Sequence, residues 1–303
     1  MSPRILVTGA GGVIGRAVQE LIPAATCVSK RDADLRDATA AARLFQSVKP
    51  EAVLHLAERA AGVKENEMKN VELLTDNLLI NTHVLSCARA AGVRRLVAVL
   101  SSCAFSFPPA RPAAPEDLHV GLPFEGNLGY GYAKRVMDVQ GRLISRQDGA
   151  DFQTVTPATV YGPHDDFDPD RGHVVSALIR KCVDAQKEAR PFTVWGDGTA
   201  VRQFIFSSDL ARVLVDLIGR RGSEHVIVAA DDGIPIRVLA ESVARAVGFQ
   251  GPIRFDPRGP VGLQKKVLKR DDAGRWRDFQ FTPLADGLAR TVDWYRSTLK
   301  TER

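Results

Sequence analysis

Cysteine, aromatic residues and long apolar runs are all scarce in this 303-residue chain. Its four cysteines, Cys27, Cys87, Cys103 and Cys182, are scattered without paired spacing, which argues against both a disulfide framework and a zinc site. No apolar run approaches the ~20 residues needed to cross a bilayer. The N-terminus enters an apolar run at Ile5-Leu6-Val7 and meets glycines at once, which fits neither a signal nor a transit peptide, so a cytoplasmic location is expected. Internal repeats and low-complexity linkers are also missing. With 45% hydrophobic and 25% charged residues, the chain has room for a large core, and one large domain with a smaller appendage is expected.

The formal charge is +5, with a basic cluster at Arg258, Lys265, Lys266, Lys269, Arg270, Arg275 and Arg277. Such a cluster can be a solvated face, a site for an anionic small molecule or a nucleic-acid surface. No nucleic-acid-binding motif accompanies it, and neither nucleic acid nor membrane is expected as a partner.

Arg4-Ile5-Leu6-Val7-Thr8 reads as a buried strand that runs into Gly9-Ala10-Gly11-Gly12-Val13-Ile14-Gly15 and then a helical pattern, Ala17, Val18, Leu21, Ile22. Strand, glycine turn and helix in that order suit a dinucleotide, because glycines let the backbone approach a pyrophosphate lying on a helix N-terminus. Gly9, Gly12, Val13, Ile14 and Gly15 are therefore cofactor candidates. The second strand ends near Ser29-Lys30-Arg31, where an NAD site would carry a carboxylate against the ribose 2′-hydroxyl. Basic and hydroxyl groups attract a 2′-phosphate instead, so NADPH is expected, with Lys30 and Arg31 as contacts and Asp34-Leu35 beside the adenine. Asp32 and Asp34, close by, pull toward the opposite choice.

The pattern then alternates: helix at 39–47, strand at 52–57, long helix at 67–91 closed by Gly92, and strand at 95–100. Apolar strands between helices imply an α/β, Rossmann-type doubly wound parallel sheet, with ligands at the carboxyl ends of the strands. Val160-Tyr161-Gly162-Pro163 reads as the close of another core strand. Residues 1–162 plus 203–231 are expected to form the dinucleotide-binding domain, and 163–202 plus 232–303 a smaller, sequence-interleaved α/β substrate domain.

In Tyr130-Gly131-Tyr132-Ala133-Lys134, a phenol and an ammonium share one helix face, four residues apart. A cation beside a phenol eases its ionisation, so the pair can move a proton as a carbonyl and an alcohol interconvert. The strand ending at Leu100 delivers Ser101-Ser102-Cys103 to the same edge. With serine, tyrosine and lysine in place, the chain resembles the extended short-chain dehydrogenase/reductase superfamily, and its Gly9-x-x-Gly12-x-x-Gly15 spacing is similar to that group's. The resemblance implies that Ser101 orients a carbonyl, with Ser102 as the alternative, that Tyr130 is the acid/base, and that Lys134 binds nicotinamide ribose and tunes the tyrosine.

Ser-Ser-Cys, Gly-Tyr-x-Tyr-Ala-Lys-Arg, Tyr-Gly-Pro-His-Asp-Asp-Phe, Gly-His-Val and Trp-Gly-Asp-Gly follow in that order, and on them the chain resembles the GDP-L-fucose synthase family from the glycine turn almost to the C-terminus. That resemblance implies NADPH-dependent 3,5-epimerisation and 4-keto reduction of GDP-4-keto-6-deoxy-D-mannose. It makes Cys103 the base and His173 the acid, places Lys181, Trp195, Arg202 and Lys266 around the GDP-sugar, requires no metal, and implies a homodimer paired through the long helix and the Tyr130 helix.

Simpler readings stand beside these. Cys103 can be a small buried hydrophobe, His173 a satisfied loop histidine, and His164 a structural or substrate-loop residue. His164, Asp165, Asp166, Asp168 and His173 together have the donors for a metal, although the resemblance implies none. A sister enzyme on another GDP-4-keto sugar, a dideoxyhexose or a deoxyheptose, is the alternative substrate reading, and an NADP-binding regulator without chemistry the alternative class. Two departures from the family pattern stand out. Glu58-Arg59 replaces small or apolar residues near the nicotinamide side, and Ser106 stands where a proline usually follows.

Overall fold

The computed structural model describes residues 3–107, 110–230, 232–259, 262–270, 276 and 278–301. The basic residues Arg275 and Arg277 lie outside the described residues. In chain order the elements are β1 (Ile5–Thr8), α1 (Val13–Leu21), β2 (Thr26–Val28), α2 (Ala38–Val48), β3 (Ala52–His55), α3 (Val63–Met68), α4 (Asn70–Ala90), β4 (Arg95–Val99), α5 (Leu128–Asp148), β5 (Asp151–Pro157) and β6 (Thr159–Tyr161). They continue with α6 (Val174–Lys187), β7 (Phe192–Trp195), β8 (Val201–Arg202), β9 (Phe204–Phe206), α7 (Ser207–Gly219), β10 (His225–Val228), β11 (Ile234–Pro235), α8 (Ile236–Val247), β12 (Ile253–Asp256), β13 (Lys265–Lys266) and α9 (Leu284–Thr301).

Six parallel strands form the main sheet in the order β10-β5-β4-β3-β1-β2. β1, β3, β4 and β10 are largely apolar and almost wholly buried, as helices on both faces of a sheet require, while β5 buries the polar Gln153, Thr154 and Thr156 and β2 is a partly exposed edge. The chain winds outward from β1 to β2 and then restarts on the other side at β3. The crevice between the ends of β1 and β3 is thus the switch point where ligands bind in such sheets. Gly9 makes the turn possible there: its φ is +73°, and a Cβ on it would lie 2.5 Å from the Ala57 nitrogen. Gly15 serves packing, since a Cβ would come within 2.4 Å of the Gly9 oxygen and push α1 away from the turn.

A second core gathers α6, α8 and α9 with Phe192, Val194, Phe204 and Phe206. Full burial of each such side chain stabilises by roughly 1.5–3 kcal/mol. The strand expected to end at Pro163 is two strands: β5 belongs to the main sheet, and after Ala158 the chain turns into β6, which pairs with β9 in a separate ribbon. The C-terminal segment also crosses between the cores, because Leu268 and Trp276 pack with the first one. No helix among the described residues is long and apolar enough to cross a membrane.

Candidate active site

The cofactor candidates sit at the switch point. Gly12 precedes α1 in extended backbone, and a Cβ there would meet no atom closer than 3.6 Å. The helix has no side-chain cap and no acidic residue in its first turn, so its N–H groups and dipole face the crevice uncompensated. Val13 and Ile14 open the helix, half-buried against the core. These features fit a pyrophosphate.

Beyond β2, Lys30 and Arg31 stand exposed. Both nearby carboxylates are engaged: Asp32 Oδ2 accepts from the nitrogen and hydroxyl of Ser29, each at 2.8 Å, and Asp34 is held bidentate by Arg36. Arg36 keeps the Asp34 pKa down at about 2. The basic groups are the ones left facing outward, which fits a 2′-phosphate better than a bare hydroxyl. Leu35 is buried in the core, its carbonyl bonded to His83 Nδ1 at 2.9 Å.

Tyr130 and Lys134 lie on the buried face of α5, where Lys134 is 2% accessible. A buried polar chain fixes that helix. Asn81 Nδ2 donates to the Ala133 carbonyl, which turns Oδ1 toward His55; His55 Nε2 then donates to it, and Nδ1 accepts from the Thr8 hydroxyl. Burial first, and the Lys134 charge second, push the His55 pKa down to about 4, consistent with this neutral tautomer. Lys134 Nζ donates to the Val99 carbonyl at 2.8 Å. Gly131 allows α5 to approach the loop after β4, since a Cβ there would stand 2.6 Å from the Cys103 oxygen.

That loop is a short 3-10 turn, Ser102–Ala104, capped by Ser101, whose Oγ accepts from the Cys103 nitrogen at 3.2 Å. Ser106 Oγ ties the following segment to the Val120 carbonyl. Lys266, on β13, donates to Cys103 Sγ at 3.1 Å. Burial alone would push this thiol up; the Lys266 ammonium and hydrogen bonds from Ser101, Lys266 and Asn127 outweigh it and hold the thiol below its ordinary range. The other three cysteines are pushed up by burial, Cys182 to about 12.

His173 precedes α6, and its Nδ1 is 2.9 Å from Asp165 Oδ1, while Ser176 donates to the other Asp165 oxygen. Burial alone would lower the imidazole pKa, but contact with Asp165, then the charges of Glu58 and Cys103, raise it to about 9. His173 is therefore a cation at neutral pH. His164, by contrast, packs on Trp294 with ring centroids 4.6 Å apart. Asp165 serves His173, and among the described residues no cluster of three or more His, Cys, Asp or Glu could hold a metal ion.

Toward the second core, Lys181 Nζ sits 3.4 Å from the centroid of the Trp195 ring. Arg202 is pulled down to about 10 by burial and donates to the Val201 and Leu263 carbonyls. Three partners went unassigned in the sequence: Asn127 on Cys103, Asp165 on His173, and Glu58, whose Oε2 lies 2.6 Å from Tyr130 Oη and 2.7 Å from Lys134 Nζ. Arg59, the other half of that charged pair, turns away to Asp76 and Glu65.

A strand, glycine turn and helix at a switch point, with a tyrosine–lysine pair beneath, match a known pattern: residues 5–230 fit the NAD dependent epimerase/dehydratase family. The chain belongs to that family. A Drosophila melanogaster protein named probable GDP-L-fucose synthase is 32% identical over 96% of this chain and 97% of its own. The crystal structure of a GDP-L-fucose synthetase from Naegleria fowleri bound to NADP superposes with a TM-score of 0.89 at 32% identity, covering 99% of this chain and 94% of that one. A GDP-6-OMe-4-keto-L-xylo-heptose reductase from C. jejuni shares the fold, with a TM-score of 0.88 at 22% identity over 98% of each chain.

Proposed function

We propose that this chain is an NADP-dependent epimerase and reductase that converts GDP-4-keto-6-deoxy-D-mannose to GDP-L-fucose. The observation that carries the reading is the Lys266–Cys103 contact beside the Tyr130–Lys134 pair, which puts an activated thiol next to a reductase constellation. A reductase alone has no use for that thiol. Protons on carbons flanking a ketone are acidic, so epimerisation needs a base, an acid on the opposite face and a donor to the enolate oxygen. Cys103, as thiolate, takes the proton from C3 or C5. His173, held protonated by Asp165, returns one from the other face. Ser101 and Tyr130 hold O4 while negative charge builds on it. The glycine turn at 9–15, with Lys30 and Arg31 for the 2′-phosphate, would hold NADPH, which would supply the hydride for C4. Tyr130 protonates the resulting O4.

In this reading residues 1–162 and 203–231 carry the cofactor, and 163–202 and 232–303 the sugar nucleotide. Lys181 and Arg202 face its diphosphate and Trp195 offers an aromatic surface. Tyr132, Val136, Val139 and Leu143 form an exposed apolar stripe at helical spacing on α5, next to exposed Val71 and Leu79 of α4, which suits a homodimer through these helices. A monomer by light scattering at micromolar concentration would exclude that pairing.

The test is to mix the protein with NADPH and GDP-4-keto-6-deoxy-D-mannose and identify the product by NMR. GDP-L-fucose with matching NADPH oxidation is expected. No oxidation, or a product that keeps the mannose configuration, refutes the reading; oxidation only with a heptose or dideoxyhexose counterpart moves the assignment to that substrate.

A further inference from the structure

Glu58 is the one carboxylate in contact with the tyrosine–lysine pair among the described residues, and it arrives from the loop after β3, at the switch point. A single oxygen, Oε2, accepts from the Tyr130 hydroxyl at 2.6 Å and lies 2.7 Å from Lys134 Nζ. A phenol has one O–H to donate. While Tyr130 donates to Glu58 it cannot donate to a substrate oxygen, so the two hydrogen bonds exclude each other. We propose that Glu58 is a positioning residue that holds the Tyr130 proton on the phenol and screens it from Lys134, so that Tyr130 stays a donor while Cys103 serves as the base. This rests on the roles given to Tyr130 and Cys103 above.

The need for such a residue follows from the charges in the pocket. Lys134 is buried beside Tyr130, its ammonium 5.7 Å from the ring centroid, and unopposed it would draw the phenol toward ionisation. A phenolate could not donate to an enolate oxygen during epimerisation and would compete with the thiolate as a base. Glu58 reverses that influence. Burial, then the charges of Glu58 and Cys103 and the bond to Glu58, raise the Tyr130 pKa well above 10, against a Ser101 hydrogen bond that acts the other way. Burial alone would raise the Glu58 pKa, but Lys134, Tyr130 and His173 lower it, so the carboxylate is charged at neutral pH. Lys134 and Tyr130 face it from α5, His173 from the start of α6 and neutral His55 from β3. Its side chain retains 27% accessibility, so the carboxylate can swing out and release the phenol when a carbonyl oxygen arrives. Acid and base in one pocket are thus driven apart, Tyr130 up and Cys103 down.

The test uses the full, cofactor-free chain labelled with 13Cζ-tyrosine. The chain has four tyrosines, and the signal lost in Tyr130→Phe is the one of interest. In the wild type, Tyr130 is expected to remain phenol beyond the ordinary tyrosine range near 10. Glu58→Gln keeps the shape and removes the charge; at a fixed alkaline pH it is expected to raise the Tyr130 phenolate fraction about tenfold or more. Glu58→Asp, which retains the charge, should restore most of the wild-type behaviour and stands in if the glutamine variant does not fold. An unchanged Tyr130 titration in Glu58→Gln overturns the proposal. With substrate, the alkaline limb of kcat should move to lower pH in Glu58→Gln with KM little altered, and a fall in kcat at every pH without that movement also overturns it. The titration needs no substrate, so it stands or falls separately from the assignment of the sugar.

Discussion

Lys266→Met takes the ammonium away from Cys103 and leaves a side chain of similar length. In the wild type Lys266 Nζ donates to Cys103 Sγ at 3.1 Å, while burial acting alone would push the thiol up. A hydrogen bond to a charged group is worth roughly 1.5–3 kcal/mol. Both partners are only partly buried, so the lower end applies; at about 1.36 kcal/mol per decade it corresponds to roughly a tenfold loss of thiolate at neutral pH. Alkylation by iodoacetamide, followed cysteine by cysteine by mass spectrometry, reads that fraction directly because the thiolate is the reacting form. Burial pushes Cys27, Cys87 and Cys182 up, so Cys103 should react first in the wild type and lose that lead in Lys266→Met. The two proteins should converge at high pH, where the thiol ionises without help. Deuterium entry from solvent at C3 and C5 of the sugar should fall in parallel. Equal alkylation rates at neutral pH would falsify the thiolate, and with it the base assigned to Cys103.

Three further outcomes are expected. Tyr130→Phe should slow NADPH oxidation by ~10²-fold or more, as for loss of a positioned general acid, with NADPH binding retained by fluorescence titration; near-normal turnover removes Tyr130 from the mechanism. Arg31→Asp should weaken NADPH about tenfold and leave NADH nearly unchanged, through repulsion of the 2′-phosphate; equal losses for both would place that phosphate elsewhere. Asp165→Asn should bring the His173 midpoint in NMR down from about 9 toward 6.5. Because folding raises that pKa, the pair stabilises the native chain fully below about pH 6.5 and the contribution disappears as pH rises through 9, so wild type and variant should differ in Tm at pH 6 and converge near pH 10.

Local features were legible in the sequence because their physics is local. The glycine turn at 9–15, the strands at β1, β3 and β4 and the Tyr130–Lys134 face are written in spacings of a few residues, and α2 lies where periodicity places a helix at 39–47. What the sequence could not give was partnership across distance. Lys266 was one member of a basic cluster, and nothing local ties it to a cysteine 163 positions earlier. Glu58 stands out in the sequence as a departure, but its contact with Tyr130 spans 72 positions and exists only because the fold brings the loop after β3 against α5. Asp165 reads equally as a metal donor, since a carboxylate near histidines has the same letters whether it binds a metal or orients an imidazole. The break at Ala158 is not local: only that one residue separates β5 from β6, and what divides them is long-range pairing, β5 with β4 and β6 with β9.

The charges of the pocket explain why these distant partners matter together. Lys134, Lys266 and the imidazolium of His173 face Glu58, the Cys103 thiol and Asp165 in turn, each cation beside one acidic group. In the proposed mechanism the pairs divide the chemistry: Lys266 makes a base, Asp165 makes an acid, and Glu58 keeps a phenol from becoming a second base. Removing one member leaves its partner's charge unopposed and shifts the others, because His173 and Tyr130 both feel Cys103, and His173 feels Glu58 as well. Single substitutions should therefore combine non-additively, and a Glu58→Gln, Lys266→Met double variant should depart from the product of the two single effects.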